Sequence, residues 1–161
     1  LGTAGVRARG DEVYLPHFEP PRYVGLEDAY PLHLVTYKLM AHAEGRGANT
    51  TLLQEMLGLQ TRGRWDSWVE INPETARHHG ISDGDPVVVE SPVGKIETCA
   101  RLLAGAHPEV ISMPFEQGHH AYGRWAAERG VNPNRILGDE RDRLAGLAAP
   151  FATRVKVYRT V

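Results

Sequence analysis

The sequence holds a single cysteine, Cys99, in 161 residues. One thiol excludes an intrachain disulfide. It equally excludes a four-cysteine iron–sulfur cluster or structural zinc site built by this chain alone. An excess of either charge is also missing, since 18 Lys and Arg against 20 Asp and Glu leave a formal net charge of −2. Neither a polyanion-binding surface nor an acidic tail is signalled, so nucleic acid is not an expected partner. No apolar run approaches the roughly 18 residues that a membrane-crossing helix needs. The longest, over residues 144–152, is interrupted by Gly146 and Pro150. The chain lacks an initiator methionine and a signal-peptide pattern, which reads as the end of a longer polypeptide or a processed product. There is no Gly-x-Ser-x-Gly nucleophile turn, no Gly-Lys-Ser/Thr phosphate loop and no Cys-x-x-Cys redox pair. Internal repeats and low-complexity tracts are absent too.

What is present suits one domain, with a hydrophobic content of 42% to fill one core. Residues 1–29 are rich in Gly, Pro and charge, with Pro16, Pro20 and Pro21 closely spaced, and read as an extended lead-in. The compact fold is expected over residues 30–161. Leu32, Leu34 and Thr36 alternate with His33, Val35 and Tyr37, which predicts a strand. A short helix follows, capped by Thr50 or Thr51 and stopped by Gly58. After a strand over residues 68–71, Asn72 offers its side-chain oxygen to free amides and Pro73 pre-sets the first helical φ. Glu74 favours the positive end of that helix, and Gly80 marks its stop.

Asp83-Gly84 makes a turn, residues 87–90 a strand, and Ser91-Pro92-Val93-Gly94 a reversal into a strand over residues 95–102. In that strand Ile96, Thr98 and Ala100 share one face, with Glu97, Cys99 and Arg101 on the other. Residues 110–113 form a strand closed by Pro114, residues 121–129 a helix stopped by Gly130, and residues 154–159 the last strand. Short, separated strands with little helix favour a closed or nearly closed β-barrel, which leaves no sheet edge.

The eight histidines include the adjacent pairs His78-His79 and His119-His120. Neighbouring histidines on a helix point in different directions, so no metal site is expected. Cys99, in an alternating strand, reads as inert.

Four stretches together resemble the C-terminal cofactor-binding domain of the molybdopterin oxidoreductases, the dimethyl sulfoxide reductase family. Leu34-Val35-Thr36-Tyr37-Lys38 is similar to the family's first strand and the loop after it. Glu70-Ile71-Asn72-Pro73-Glu74-Thr75-Ala76, continued by Gly80-Ile81, Asp83-Gly84-Asp85, Val89-Glu90-Ser91-Pro92 and Gly94, resembles its best-known signature. Val110-Ile111-Ser112-Met113-Pro114 matches the strand before a cofactor loop. Gly118-His119 and Val131-Asn132-Pro133-Asn134 look like the loop that reaches the pterin. The resemblance implies a mainly β fold with short helices, a six-stranded double-psi β-barrel. It further implies a molybdopterin guanine dinucleotide carrying Mo or W, shared with other domains. The Thr36-Tyr37-Lys38 wording and the stretch from Gln117 to Asn134 resemble the respiratory branch of polysulfide, thiosulfate, tetrathionate and arsenate reductases.

A pterin–guanine dinucleotide presents ring edges, an anionic pyrophosphate and flat faces. Asn, Gln and backbone amides suit the edges, Arg, Lys and Gly-rich loops the phosphate, and aromatic or guanidinium planes the faces. The cofactor-binding residues that the resemblance implies are Thr36, Tyr37, Lys38, Asn49, Gln117, Gly118, His119 and Asn132. Arg46, Thr50, Tyr122, Arg124 and Arg135 complete the inventory of suitable side chains. Gly118 would permit close backbone approach of a ring, whereas Asn72 is assigned to helix capping. In this family the metal's protein ligand and the iron–sulfur cysteines belong to earlier domains, so this domain is not catalytic alone. The expected partners are the other domains of the oxidoreductase, an iron–sulfur subunit and a membrane anchor, at a periplasmic or membrane-peripheral location, with a cytoplasmic enzyme as the alternative. The competing reading is a cofactor-less relative of the same barrel, serving subunit contacts in a quinol-oxidising membrane complex.

Overall fold

The computed structural model describes residues 10–60 and 65–160; residues 1–9 of the expected lead-in, and Val161, lie outside them. Six strands close into a barrel: β1 (Leu32–Tyr37), β2 (Trp68–Ile71), β3 (Pro86–Glu90), β4 (Lys95–Leu102), β5 (Val110–Pro114) and β6 (Arg154–Arg159), in the order β1-β5-β2-β4-β3-β6. The pairs β1/β5 and β2/β4 are parallel, and the other four contacts are antiparallel. This mixed closure is the double-psi barrel, and it satisfies every strand edge without a partner molecule.

Alternation decides which side chains fill the barrel. Leu32, Leu34 and Thr36 are buried while His33, Val35 and Tyr37 are half-buried. In β4, Ile96, Thr98 and Ala100 point inward and Lys95, Glu97 and Cys99 outward. With Val69, Ile71, Val87, Val89, Ile111, Met113, Val155 and Val157 these inward residues form one core. Each fully buried aliphatic side chain contributes about 1.5–3 kcal/mol.

Helix α1 (Asp11–Tyr14) precedes the barrel, α2 (Thr51–Gln60) follows β1, and α3 (Pro73–His78) follows β2. Asn72 caps α3, its Oδ1 accepting from the Glu74 amide at 2.8 Å, and Gly80 takes a left-handed φ of 63° just after it. The stop expected at Gly58 is overturned, because α2 continues to Gln60. The helix expected over residues 121–129 is also corrected: only Gly123–Ala126 is helical, here α4. The reason is competition for its backbone groups. The Arg129 carbonyl accepts from Gly118 at 2.7 Å, and the Glu128 amide donates to His119 at 2.8 Å. These bridges draw the segment's end into extended pairing.

The lead-in packs back on the barrel. The Val24 amide donates to Ala152, and the Arg154 amide donates to the Val24 carbonyl, placing Val24 in a parallel bridge with Thr153. Among the described residues no helix is long and apolar enough to cross a membrane.

Candidate functional site

Parallel pairing places the chemistry. Because β1 and β5 run together, with Thr36 beside Met113 and Tyr37 beside Pro114, the segments after both strands leave the same barrel end. β2 is antiparallel to β5, so Asn72 and α3 lie at the opposite end. The most recognisable motif is therefore scaffold remote from the loops.

At the shared end two histidines meet. His42 is fully buried, and among the described residues neither of its ring nitrogens, nor the buried Nε2 of His119, has a hydrogen-bond partner. Leaving a buried polar atom unsatisfied costs about 1–3 kcal/mol. Burial, and after it the neighbouring His119 imidazole, hold His42 below the ordinary histidine range, so its ring is neutral. A neutral imidazole offers one N–H donor and one acceptor nitrogen. Gly45 closes this pocket: with φ 88° it passes so near His119 that a Cβ would stand 3.3 Å from Nε2. The His119 ring also packs against Tyr122 with centroids 5.2 Å apart, and the Tyr122 hydroxyl donates to the Arg46 carbonyl at 2.9 Å.

The residues expected from sequence fare differently from one another. Lys38, Asn49, Gln117, Gly118 and His119 all belong to the two segments at this end. Lys38 is exposed and pairs with Glu44. The Oδ1 of Asn49 accepts from the amides of Trp125 and Ala126 at 2.9 and 3.3 Å, tying α4 to the front loop. Gln117 is 2% exposed and pairs its amide with that of Gln54. Gly118 has φ 86°, and the group it approaches is the backbone of Val131 and Asn132, with which a Cβ would collide. Asn132 directs its Oδ1 to the Asn134 amide at 3.0 Å, starting a 3-10 turn over Pro133–Ile136. That turn crosses the barrel end, where Ser91 Oγ donates to the Ile136 carbonyl.

Thr36 is buried at the end of β1. Tyr37 instead turns its hydroxyl to Glu70 and Trp68, and burial, then the Glu70 charge, push its phenol well above the usual tyrosine value. Arg124 stacks on Trp125 at 4.2 Å, and Arg135 lies exposed at the β3–β4 turn. Desolvation and then Asp66 raise the Cys99 thiol, consistent with an unreactive strand cysteine. A groove of about 820 Å³ between residues 19–23 and the segment 139–152 is lined by none of the expected residues.

Three residues of the site escaped sequence reasoning: His42, Gln54 and Glu116. The spacing His42-x-x-Gly45-x-Gly47 is the one local cue, a histidine followed by glycines that allow the backbone to fold tightly over it. The half-buried His119 fits a heterocyclic ligand whose edge offers both donors and acceptors. Lys38 and Arg46 in the front segment are cations suited to its phosphates.

The family model described as the molydopterin dinucleotide binding domain matches residues 32–151. The molybdopterin-containing subunit of the arsenate respiratory reductase of Shewanella sp. (strain ANA-3) is 36% identical over 161 residues, covering 95% of this chain and 19% of that protein. The corresponding subunit from Chrysiogenes arsenatis is 33% identical over 157 residues, covering 92% of this chain and 19% of its own length. Among solved structures, acetylene hydratase from Pelobacter acetylenicus shares the fold with a TM-score of 0.72. Its sequence identity is 19%, over 91% of this chain and 21% of that one. The chain thus spans about a fifth of the length of these relatives, 19% of each curated one.

Proposed function

Since the chain belongs to the family of molydopterin dinucleotide binding domains, we propose that its His42–His119 end holds a molybdopterin guanine dinucleotide within a molybdenum or tungsten reductase of the respiratory type. The observation that carries the proposal is the parallel pairing of β1 with β5, which brings Lys38, Asn49, Gln117, Gly118 and His119 to one barrel end. His119, half-buried, would meet the edge of the heterocycle with His42 packed behind it, and Lys38 and Arg46 would meet its phosphates. The bound group supplies the electron transfer and the metal-centred chemistry. This domain binds, orients and excludes water.

The respiratory assignment draws support from two arsenate respiratory reductase subunits that align over nearly the whole chain. An oxyanion such as arsenate is then the substrate class of the whole protein. The same reading gives the assembly an iron–sulfur subunit and a membrane anchor, at the periplasmic side. A second reading, a barrel that has lost the cofactor, is favoured by one observation: Asn49, Gln117 and Asn132 already direct their side-chain oxygens to partners within the chain.

Mass spectrometry for Mo and W on the full-length protein, with fluorescence of the oxidised pterin released from it, separates the readings. Metal together with pterin is expected, and reduced dye should then be oxidised by arsenate. Protein that keeps its other cofactors but holds neither metal nor pterin would establish the second reading. Metal and pterin without arsenate-dependent turnover would leave the domain's role standing and remove the substrate class.

A further inference from the structure

Glu116 follows β5 and is 1% exposed. Its Oε2 accepts from the Leu39 amide at 2.6 Å and its Oε1 from the Glu44 amide at 2.8 Å. A buried carboxylate is tolerated only where hydrogen bonds replace its hydration, and charge-assisted bonds to backbone amides are strong ones. Both of these amides belong to the segment after β1. Glu116 therefore joins two strand-ending segments that are 77 and 72 residues apart at these two contacts.

Around the second anchored amide, that of Glu44, the backbone makes an unusual turn. Ala43, Glu44 and Gly45 have successive φ values of 45°, 62° and 88°. This conformation is unfavourable for L side chains and persists where surroundings enforce it. The turn closes with the Gly47 amide donating to the His42 carbonyl at 2.8 Å. Its tip, Gly45, lies against His119 and the Glu116 carbonyl. Lys38 pairs with Glu44 outside the turn.

We infer that Glu116 is the positioning residue of the cofactor site: by accepting both amides it holds the left-handed turn that buries His42 beside His119. Being 1% exposed, Glu116 is out of reach of a ligand and acts through the loop. The inference rests on the binding reading above, and its chemistry is specific. An isosteric glutamine keeps one acceptor oxygen but turns an NH2 donor towards the second amide. Aspartate keeps both acceptors on a shorter stem.

The test uses the full-length oxidoreductase in its native assembly, unaltered and as Glu116→Gln and Glu116→Asp. Hydrogen exchange over residues 38–49 and the metal and pterin retained after dialysis are measured in each. In Glu116→Gln, exchange of this segment and loss of cofactor should both accelerate about tenfold, the expected effect of losing one charge-assisted bond. Exchange of the barrel strands should stay unchanged, and Glu116→Asp should recover part of both effects. Faster loop exchange with undiminished cofactor retention would overturn the inference and leave the binding reading intact. Equal loosening of the barrel strands would also overturn it, because Glu116 would then serve general stability. Absence of metal and pterin from the unaltered protein would overturn the binding reading and the inference with it.

Discussion

Gln54 and Gln117, 63 residues apart, pair amide to amide in the buried interior: Gln117 Nε2 donates to Gln54 Oε1 at 2.7 Å, and Gln54 Nε2 returns a bond at 3.1 Å. Gln54 also donates to the Ala48 carbonyl at 2.7 Å. One side-chain pair thereby joins α2, the segment before it and the segment after β5. Gln117 carries the loop that presents His119, and its own polar atoms are already engaged.

Replacing Gln117 leaves the Gln54 Oε1 buried without its donor, while Gln54 Nε2 still reaches the Ala48 carbonyl. Gln117→Leu should cost about 1–3 kcal/mol of stability. Replacing both with leucine should cost less than the sum of the single changes, since the bonds between the two side chains are then lost only once. A double-mutant cycle from urea unfolding measures the coupling. Strict additivity would mean that the amides do not depend on each other.

Asn72 makes two bonds, accepting from the Glu74 amide and donating to the Ala106 carbonyl at 2.7 Å. Asn72→Ala should lower stability by roughly 1–2 kcal/mol, the range for a lost helix cap with its side-chain bond. Asn72→Asp keeps the cap and should recover part of that loss. Cofactor content should be the same in all three, because β2 carries Asn72 to the barrel end opposite His42. A cofactor-free Asn72→Ala protein with a folded barrel would contradict this placement.

The strands and α3 were legible because their determinants are local. The two-residue alternation in Lys95–Leu102 and Arg154–Arg159 sets burial without reference to distant residues. Asn72-Pro73 likewise writes a helix start in two residues. The site resisted because its determinants are distant. Glu116 reads as an ordinary charged residue until the amides of Leu39 and Glu44 converge on it. Asn49 reads as a cofactor-binding candidate, and only the fold shows its oxygen holding the amides of Trp125 and Ala126. Backbone bonds between the Gly118–His119 stretch and Glu128–Arg129 shorten the helix expected over residues 121–129 to Gly123–Ala126. Family resemblance marks the segments, while the partners within them are set by the tertiary fold.

Gly118 combines a φ of 86° with close approach to the Val131 and Asn132 backbone. Gly118→Ala meets both a left-handed backbone penalty of about 1–2 kcal/mol and a collision that backbone, unlike a flexible side chain, relieves poorly. The variant should be destabilised by more than the conformational penalty alone, with the largest rise in hydrogen exchange at residues 117–119 and 131–132. A variant as stable as the unaltered chain would show that these two segments separate freely.

Stability should also depend on pH through His42. Its unfolded ring titrates near the ordinary value of 6.5, whereas burial and then His119 lower the folded value. Between those two values the unfolded chain holds a proton that the folded chain does not, so stability rises with pH. The contribution is fully present above the unfolded value and is lost as pH falls through the window below it. His33 is lowered as well, by burial and then by Arg154, so the unaltered chain loses stability from two imidazoles on acidification. His42→Phe removes one of them and keeps the pocket filled. The fall in urea midpoint between about pH 7.5 and about pH 5.5 should therefore be smaller in His42→Phe than in the unaltered chain. Equal falls would show that His42 gains its proton without opposition, and the sealed, neutral pocket inferred from its two unpartnered nitrogens would have to be open to water.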